Sequence, residues 1–359
     1  MKIVVDINHP AHVHYFKNFI LQMKKRGHQV LITVTEKDIA FTLLDRYNLE
    51  YSKLGSYGSS LMSKVISLPR IDIRMYNAVK KFQPDIFLGF GSLRAAHVAW
   101  FLKKPCINFE DTEHSTGQIM LYKPFVDAIC TPSCFTHDLG RKQVRFEGYM
   151  ELASLHPSRF IPNPDILDEI GLNPDDTYII MRFVSWQATH DVGQHGILDK
   201  VGLVKALEPY GRVLITSEGI LPEELEGYRI RISPEKMHDL LYYATLYIGE
   251  GATMASEAAV LGTHAIYVNT LRLGYTDEEG EKYGLVTTFS NPHEIESEVL
   301  DTAVHLLKDP DLRTKGKQKR QKLLHDKIDL TGFMIWFIEK YPDSVIEMRE
   351  NPEVQKNFK

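Results

Sequence analysis

The chain has 359 residues, 43% of them hydrophobic and 25% charged, with a formal net charge of −5. That length accommodates two domains of ordinary size, and the composition is that of a folded globule. The acidic balance argues against a general nucleic-acid binder, and no apolar run reaches the length of a membrane span.

Strand character begins at Lys2 with no signal peptide before it, and the three cysteines, Cys106, Cys130 and Cys134, are an odd, sparse set. Both features lead us to expect a cytoplasmic protein. Residues 2–7 read as a strand, and Pro10 sits in the first turn of the helix that follows. Val13, Phe16, Ile20 and Met23 recur at helical spacing, Gly27 ends that helix, and residues 30–34 form a second strand. The loop between strand and helix carries His9, His12 and His14. A side chain titrating near neutrality suits proton removal, so His12 and then His9 are candidate bases. Capping of the helix start is the alternative for both. A metal site is disfavoured because His12 and His14 lie two apart on a helix and diverge.

Residues 37–47 and 61–82 read as helical, the second interrupted at Pro69, with a glycine- and serine-rich loop at 55–60 before it. Strands follow at 86–90, 105–109, 127–131 and 144–147, with a helix running from Gly91-Ser92 to Lys103. Glu110, Asp111 and Glu113 come directly after the 105–109 strand, at the end where open parallel sheets bind ligands. Cys130 and Cys134 lack a matching Cys or His pair and read as free thiols. Pro157, Pro162, Pro164 and Pro174 crowd residues 148–175, where we place a linker. A second alternating series has strands at 177–183, 213–216 and 229–232, with helices at 197–207 and 234–244. Later helices are expected at 277–283, 294–307, 311–327, 331–341 and 344–350. The pattern predicts an α/β protein with two Rossmann-like doubly wound domains. The boundaries expected are 1–155 and 156–330, with helices over 331–359 packing back toward the first domain.

The most informative stretch is 246–268: strand, glycine loop, helix, turn, strand. Gly249 and Gly251 precede a helix over 252–261 that Gly262 is placed to end. Free amides and the dipole at such a helix start favour an anion such as a diphosphate. Glu257 lies one turn beyond Thr253 on the same face, where a carboxylate can accept ribose hydroxyls. An ordinary βαβ turn with a solvated glutamate is the alternative. Arg182 ends the 177–183 strand and has the fork geometry of a phosphate clamp; an interdomain ion pair is its other reading. Ser185, Trp186 and His190 follow it in the next loop.

The string from Gly251 to Thr263 resembles the nucleotide-sugar donor motif of GT-B glycosyltransferases. It is most similar to the N-acetylglucosaminyltransferase of peptidoglycan lipid II synthesis and to the non-hydrolysing UDP-N-acetylglucosamine 2-epimerases, with Thr263 where those proteins usually carry proline. Residues 89–110, Thr131-Pro132-Ser133 with the run 144–149, and residues 232–244 extend the resemblance over most of 1–330. The chain looks most like a poorly characterised bacterial and archaeal group of that superfamily. The resemblance implies a GT-B fold, two domains facing a central cleft, with the acceptor on the first and a nucleotide-sugar donor, expected to be UDP-linked, on the second. It implies metal-independent transfer without a cofactor, to a glycan or lipid-linked sugar, in cell-envelope or polysaccharide biosynthesis. The donor set it implies is Arg182, Ser185, Ile232, Met237, Gly249, Gly251, Ala252, Thr253, Met254, Glu257, Asp277 and Glu278, with Arg272 and Tyr275 in the same expected loop. The catalytic set is His12, His9, Glu110 and Asp111. The patch 61–66 with Lys24-Lys25-Arg26 is a candidate peripheral contact with the inner membrane face.

Two other functions remain open. One is a 2-epimerase, for which Glu110 matches a family glutamate. Against it, Gly89-Phe90-Gly91-Ser92 stands where that family has an aspartate, and no partner acid is evident nearby. The other is a nucleotide-binding protein without catalysis.

Overall fold

Ile3, Val4, Val5 and Ile7 form a near-continuous apolar run because strand β1 (Lys2–Ile7) is covered on both faces, and all four are fully buried. The computed structural model describes residues 1–35, 39–56, 61–184, 196–217, 219–291 and 295–359, without the side chains of 61–66 and 295–297. The chain divides into two compact units, Met1–Arg159 with Lys327–Lys359, and Phe160–Asp326.

In the first unit β1 is followed by α1 (Pro10–Lys25), β2 (Gln29–Val34), α2 (Ala40–Arg46), β3 (Tyr51–Lys53) and α3 (Leu61–Val79). Then come β4 (Ile86–Phe90), α4 (Leu93–Leu102), β5 (Cys106–Phe109), α5 (Thr116–Tyr122), β6 (Ala128–Pro132), β7 (Gln143–Phe146) and the single turn α6 (Leu152–Leu155). The strands form one parallel sheet in the order β3-β2-β1-β4-β5-β6-β7. The order reverses between β1 and β4, so the loops leaving those two strands part and open a crevice at their carboxyl ends. Ser92 caps α4 by accepting from the Ala95 amide at 3.1 Å. Ile71, Met75 and Val79 of α3 pack with Ala95, Ala99 and Ile119 against Val4, Phe87 and Ile129 of the sheet.

The second unit runs α7 (Asp165–Glu169), β8 (Tyr178–Phe183), α8 (Lys200–Leu207), β9 (Arg212–Ser217), α9 (Met237–Tyr243), β10 (Leu246–Gly249) and α10 (Ala252–Leu261). It continues with β11 (His264–Val268), α11 (Gly274–Glu281), β12 (Val286–Phe289), α12 (Ile295–Leu307) and α13 (Leu312–Asp326). Its sheet is also parallel, in the order β12-β11-β10-β8-β9, and reverses between β8 and β10. The chain then returns to the first unit with α14 (Leu330–Glu339) and α15 (Asp343–Glu350). Buried Phe333, Phe337 and Ile338 line α14, which packs on α1 and α6.

Several expected elements differ. Helix α3 runs unbroken through Pro69; that residue is exposed, so the missing backbone hydrogen bond lies on a face water can reach. Residues 229–232 form no strand: Arg229 makes a single bridge to Ile215 while its guanidinium turns back to Glu226 at 2.8 Å. Helix α8 starts later than expected because Asp199 caps it, accepting from the Gly202 amide at 2.7 Å. Helix α11 begins at Gly274, before the expected start at 277, so Tyr275 also lies on the helix that carries Asp277 and Glu278. Part of the 55–60 loop, residues 57–60, lies outside the described residues.

Candidate functional site

Both crevices sit where parallel sheets place ligands, and the candidate residues divide between them. In the second unit, β8 and β10 pair so that Arg182 stands opposite Gly249. The Arg182 guanidinium donates to Thr216 Oγ1 at 2.9 Å, which fixes it at the carboxyl edge of the sheet. A side chain at Gly249 would collide with the Tyr247 hydroxyl and come within 3.0 Å of Arg182 Cβ, so only glycine fits. Gly251 is different. It is the N-cap of α10 with φ −100°, and an added Cβ would meet only Val184 Cγ1 at 3.7 Å. Its value is open space before the helix, where the leading amides of Ala252, Thr253 and Met254 have no intrahelical acceptor. Gly251 through Met254 are half-exposed, and from Ala255 onward α10 is buried. At the far end Gly262 adopts φ +83°, as the sequence predicts for a helix stop.

Glu257 does not face solvent. It is buried, and its Oε1 lies 2.9 Å from Nε2 of buried His238 on α9. Met237 and Ile232, just before His238, are half-buried. The arrangement joins the segment 232–238 to the carboxylate on α10. Asp277 pairs with Arg272 at 3.0 Å and Glu278 is half-buried on α11. Ser185, Trp186 and His190 lie outside the described residues.

Glu250, between the two glycines, was not singled out by sequence. It is fully buried, accepting from the Val184 amide at 2.8 Å with one oxygen and from the Ile197 amide at 2.9 Å with the other. Lys200 approaches it at 3.6 Å, and Asn269 donates to its carbonyl at 3.0 Å. One carboxylate thus ties together both ends of the chain segment that follows Arg182. A glutamate between two loop glycines is the signal that sequence offered.

In the first unit His9 is the N-cap of α1, and its Nδ1 accepts from the Ala11 amide at 3.2 Å. The capping alternative therefore holds for His9. His12 is buried beside Phe90 of β4, with ring centroids 4.7 Å apart, and beside Tyr15 at 6.0 Å. His12 thus stands at the strand reversal between β1 and β4. Tyr15 donates to Glu151 at 3.1 Å. Glu151 in turn raises Asp111, whose carboxyl is pushed well above its ordinary value by burial first and then by Glu151 and Glu110. Glu110 accepts from Tyr122 at 2.9 Å and from the Thr112 amide at 3.1 Å, yet burial still lifts it to about 7. Gly91, at φ +50°, lets the β4 loop pass close to Glu110: a Cβ there would lie 2.9 Å from its Oε2. Sequence reasoning found no partner acid for Glu110 and Asp111. Glu151 acts on Asp111 from far along the chain, a proximity that spacing does not reveal.

Under this crevice lies a second pairing that the sequence hid. Asp6 of β1 and Arg94 of α4 form a fully buried ion pair at 2.8 Å. Asp6 also accepts from Thr33 at 2.7 Å and Ser92 at 2.6 Å, and Arg94 donates to the Ile7 carbonyl at 2.8 Å. The pair braces the ends of β1 and β4, from which the His9–His12 and Gly91 loops leave.

Burial pushes the Cys106 and Cys130 thiols up, away from the reactive range. Among the described residues no three His, Cys, Asp or Glu side chains converge as a metal would require. Hollows of about 670 and 290 Å³ open near Met1, Lys2 and Asp85 and near Thr245 and His264, at the opposite, strand-start edges of the two sheets.

A protein-family model matches residues 1–335. The Uncharacterized protein MJ0665 of Methanocaldococcus jannaschii is 27% identical over 274 residues, 72% of this chain and 79% of that protein. A putative UDP-N-acetylglucosamine 2-epimerase from Listeria monocytogenes has a similar structure, with a TM-score of 0.66 at 12% identity, over 95% of this chain and 96% of that one. The glycosyltransferase VinC, solved in complex with DTDP, is similar with a TM-score of 0.61 at 11% identity, over 97% of this chain and 100% of that one. At such identities the likeness establishes the fold, which is GT-B, with two parallel α/β sheets.

Proposed function

The chain belongs to the family described as Protein of unknown function (DUF354), and from that premise we propose that it is a glycosyltransferase using a nucleotide-sugar donor. The second unit holds the nucleoside diphosphate. The observation that carries this reading is the open N-terminus of α10 beside Arg182, with buried Glu257 on the same helix. The helix amides and Arg182 meet the diphosphate charge as the glycosidic bond to it breaks. Glu257, oriented by His238, accepts the ribose hydroxyls, and Ile232 and Met237 border the base. Asp277 and Glu278 hold sugar hydroxyls. Ser185 belongs to the same proposed set. VinC is solved with DTDP, which supports a nucleoside diphosphate; uracil is the base our motif reading favours. The first unit takes the acceptor, and His12 removes the proton from its attacking hydroxyl. A glycan or lipid-linked sugar is the acceptor class we propose.

One observation favours a second reading. Glu110 and Asp111 are buried carboxyls with raised affinity for protons, and the buried Glu151 is one of the charges that raises Asp111. Such a set can take up and return protons, as 2-epimerisation requires. Incubation with UDP-N-acetylglucosamine alone separates the two: an epimerase converts it without an acceptor, and a transferase does not. A thermal-shift panel of UDP- and dTDP-sugars tests the shared premise. A ligand at a hundredfold excess over its Kd stabilises by about 2.7 kcal/mol. No shift with any of them removes the donor site.

A further inference from the structure

Five large apolar side chains stand out from the helical layer of the first unit: Ile73 is 61% exposed, Trp100 63%, Phe101 66%, Met120 74% and Leu121 57%. They lie on α3, α4 and α5, which pack side by side. Ile73 lies a turn before Tyr76, whose ring meets Phe101 at 5.4 Å. Trp100 meets Phe125 at 5.6 Å, and Phe125 follows Met120 and Leu121 in the next turn. Scattered exposed apolar groups are ordinary, but a contiguous aromatic patch marks an interaction surface.

The charges on the helices that carry it are mostly positive, with exposed Asp85 and Asp127 in the loops beside them. Lys80, Lys81, Lys103 and Lys104 are exposed at the ends of α3 and α4, and Lys80 reaches back over the Tyr76 ring at 5.5 Å. Arg70 and Arg74 are exposed on α3. The single acid on α3, Asp72, pairs with His97 at 2.9 Å, and α4 and α5 contain no acid. This concentration of positive charge occurs in a chain whose net charge is −5.

We propose that this face lays the first unit on an anionic phospholipid bilayer, with Trp100, Phe101 and Met120 entering the interface and the lysines meeting the headgroups. No described helix is long and apolar enough to cross a membrane, so the contact is peripheral. A second copy of the chain fits less well, because facing copies oppose two basic rims. The patch differs from the one expected from sequence. The side chains of 61–66 lie outside the described residues, and Arg26 is held by Glu339 at 2.8 Å.

Flotation with sucrose-gradient vesicles, run without nucleotide, tests this independently of any activity. The full chain floats with phosphatidylglycerol-containing vesicles and not with phosphatidylcholine alone, and salt weakens the association. Trp100→Ser/Phe101→Ser/Met120→Ser and, separately, Lys103→Glu/Lys104→Glu keep the melting temperature and bind about tenfold more weakly or less. Equal flotation of the folded variants overturns the proposal. So does failure of the wild type to float, or a dimer in solution that the triple substitution dissociates without any vesicle binding.

Discussion

Nε2 of His238 lies 2.9 Å from Oε1 of Glu257, and both side chains are buried. A carboxylate held this way keeps one orientation, which suits a group that must accept two neighbouring hydroxyls. Glu257→Gln replaces one accepting oxygen with a donor. UDP binding measured by calorimetry is expected to weaken by about tenfold to a hundredfold, as loss of a charged hydrogen bond implies. His238→Ala should lower stability by about 1–3 kcal/mol through removal of a buried partner. Unchanged affinity in Glu257→Gln would remove this residue from the ribose site.

Glu250 joins the Val184 and Ile197 amides through its two oxygens. Glu250→Gln turns an amide nitrogen toward one of those donors. Hydrogen exchange at both amides should accelerate, and nucleotide affinity should fall about tenfold with Arg182 intact. If exchange at Val184 and Ile197 is unaltered, the carboxylate does not hold the segment.

The Asp6–Arg94 pair predicts a large stability effect far from any reacting atom. Arg94→Met leaves the Asp6 carboxylate buried without its cation and is expected to cost about 3–5 kcal/mol in urea unfolding. A loss under about 1 kcal/mol would mean that the pair is not buried as described.

These pairings mark the limit of what the sequence conveyed. The strand–loop–helix over 246–268 was legible because every signal in it is local: two glycines, an alanine-rich helix and a left-handed glycine stop. The two doubly wound sheets followed from alternation of buried strands with helices. Asp6 and Arg94 are separated by 88 residues and Tyr15 and Glu151 by 136, and no spacing rule joins them. Residues 229–232 look like a strand by composition, but pairing is decided by neighbours, and the sheet offers only one bridge there. At His9 the local signal was legible: its position before Pro10 suits a cap, and its Nδ1 accepts from the Ala11 amide.

Glu110 gives a pH signature. Its carboxyl titrates near 7 in the folded protein against an ordinary 4.5, raised chiefly by burial. Between those values the folded chain holds more proton than the unfolded one, so stability falls as pH rises through the window. The effect amounts to about 3 kcal/mol at most. Glu110→Gln should flatten the decline between pH 5 and 7 in urea melts. Asp111, raised in the same direction, leaves a residual slope. A steeper decline in the variant would contradict the assignment.

The central claim is that a nucleoside diphosphate seats at the start of α10. A crystal structure of the full chain grown with UDP, and a second with dTDP, measures this directly. The account predicts diphosphate density against the amides of Ala252, Thr253 and Met254, with ribose within hydrogen-bond reach of Glu257. Nucleotide bound at the His12–Glu110 crevice, or at a strand-start hollow, with the α10 start empty, would contradict it.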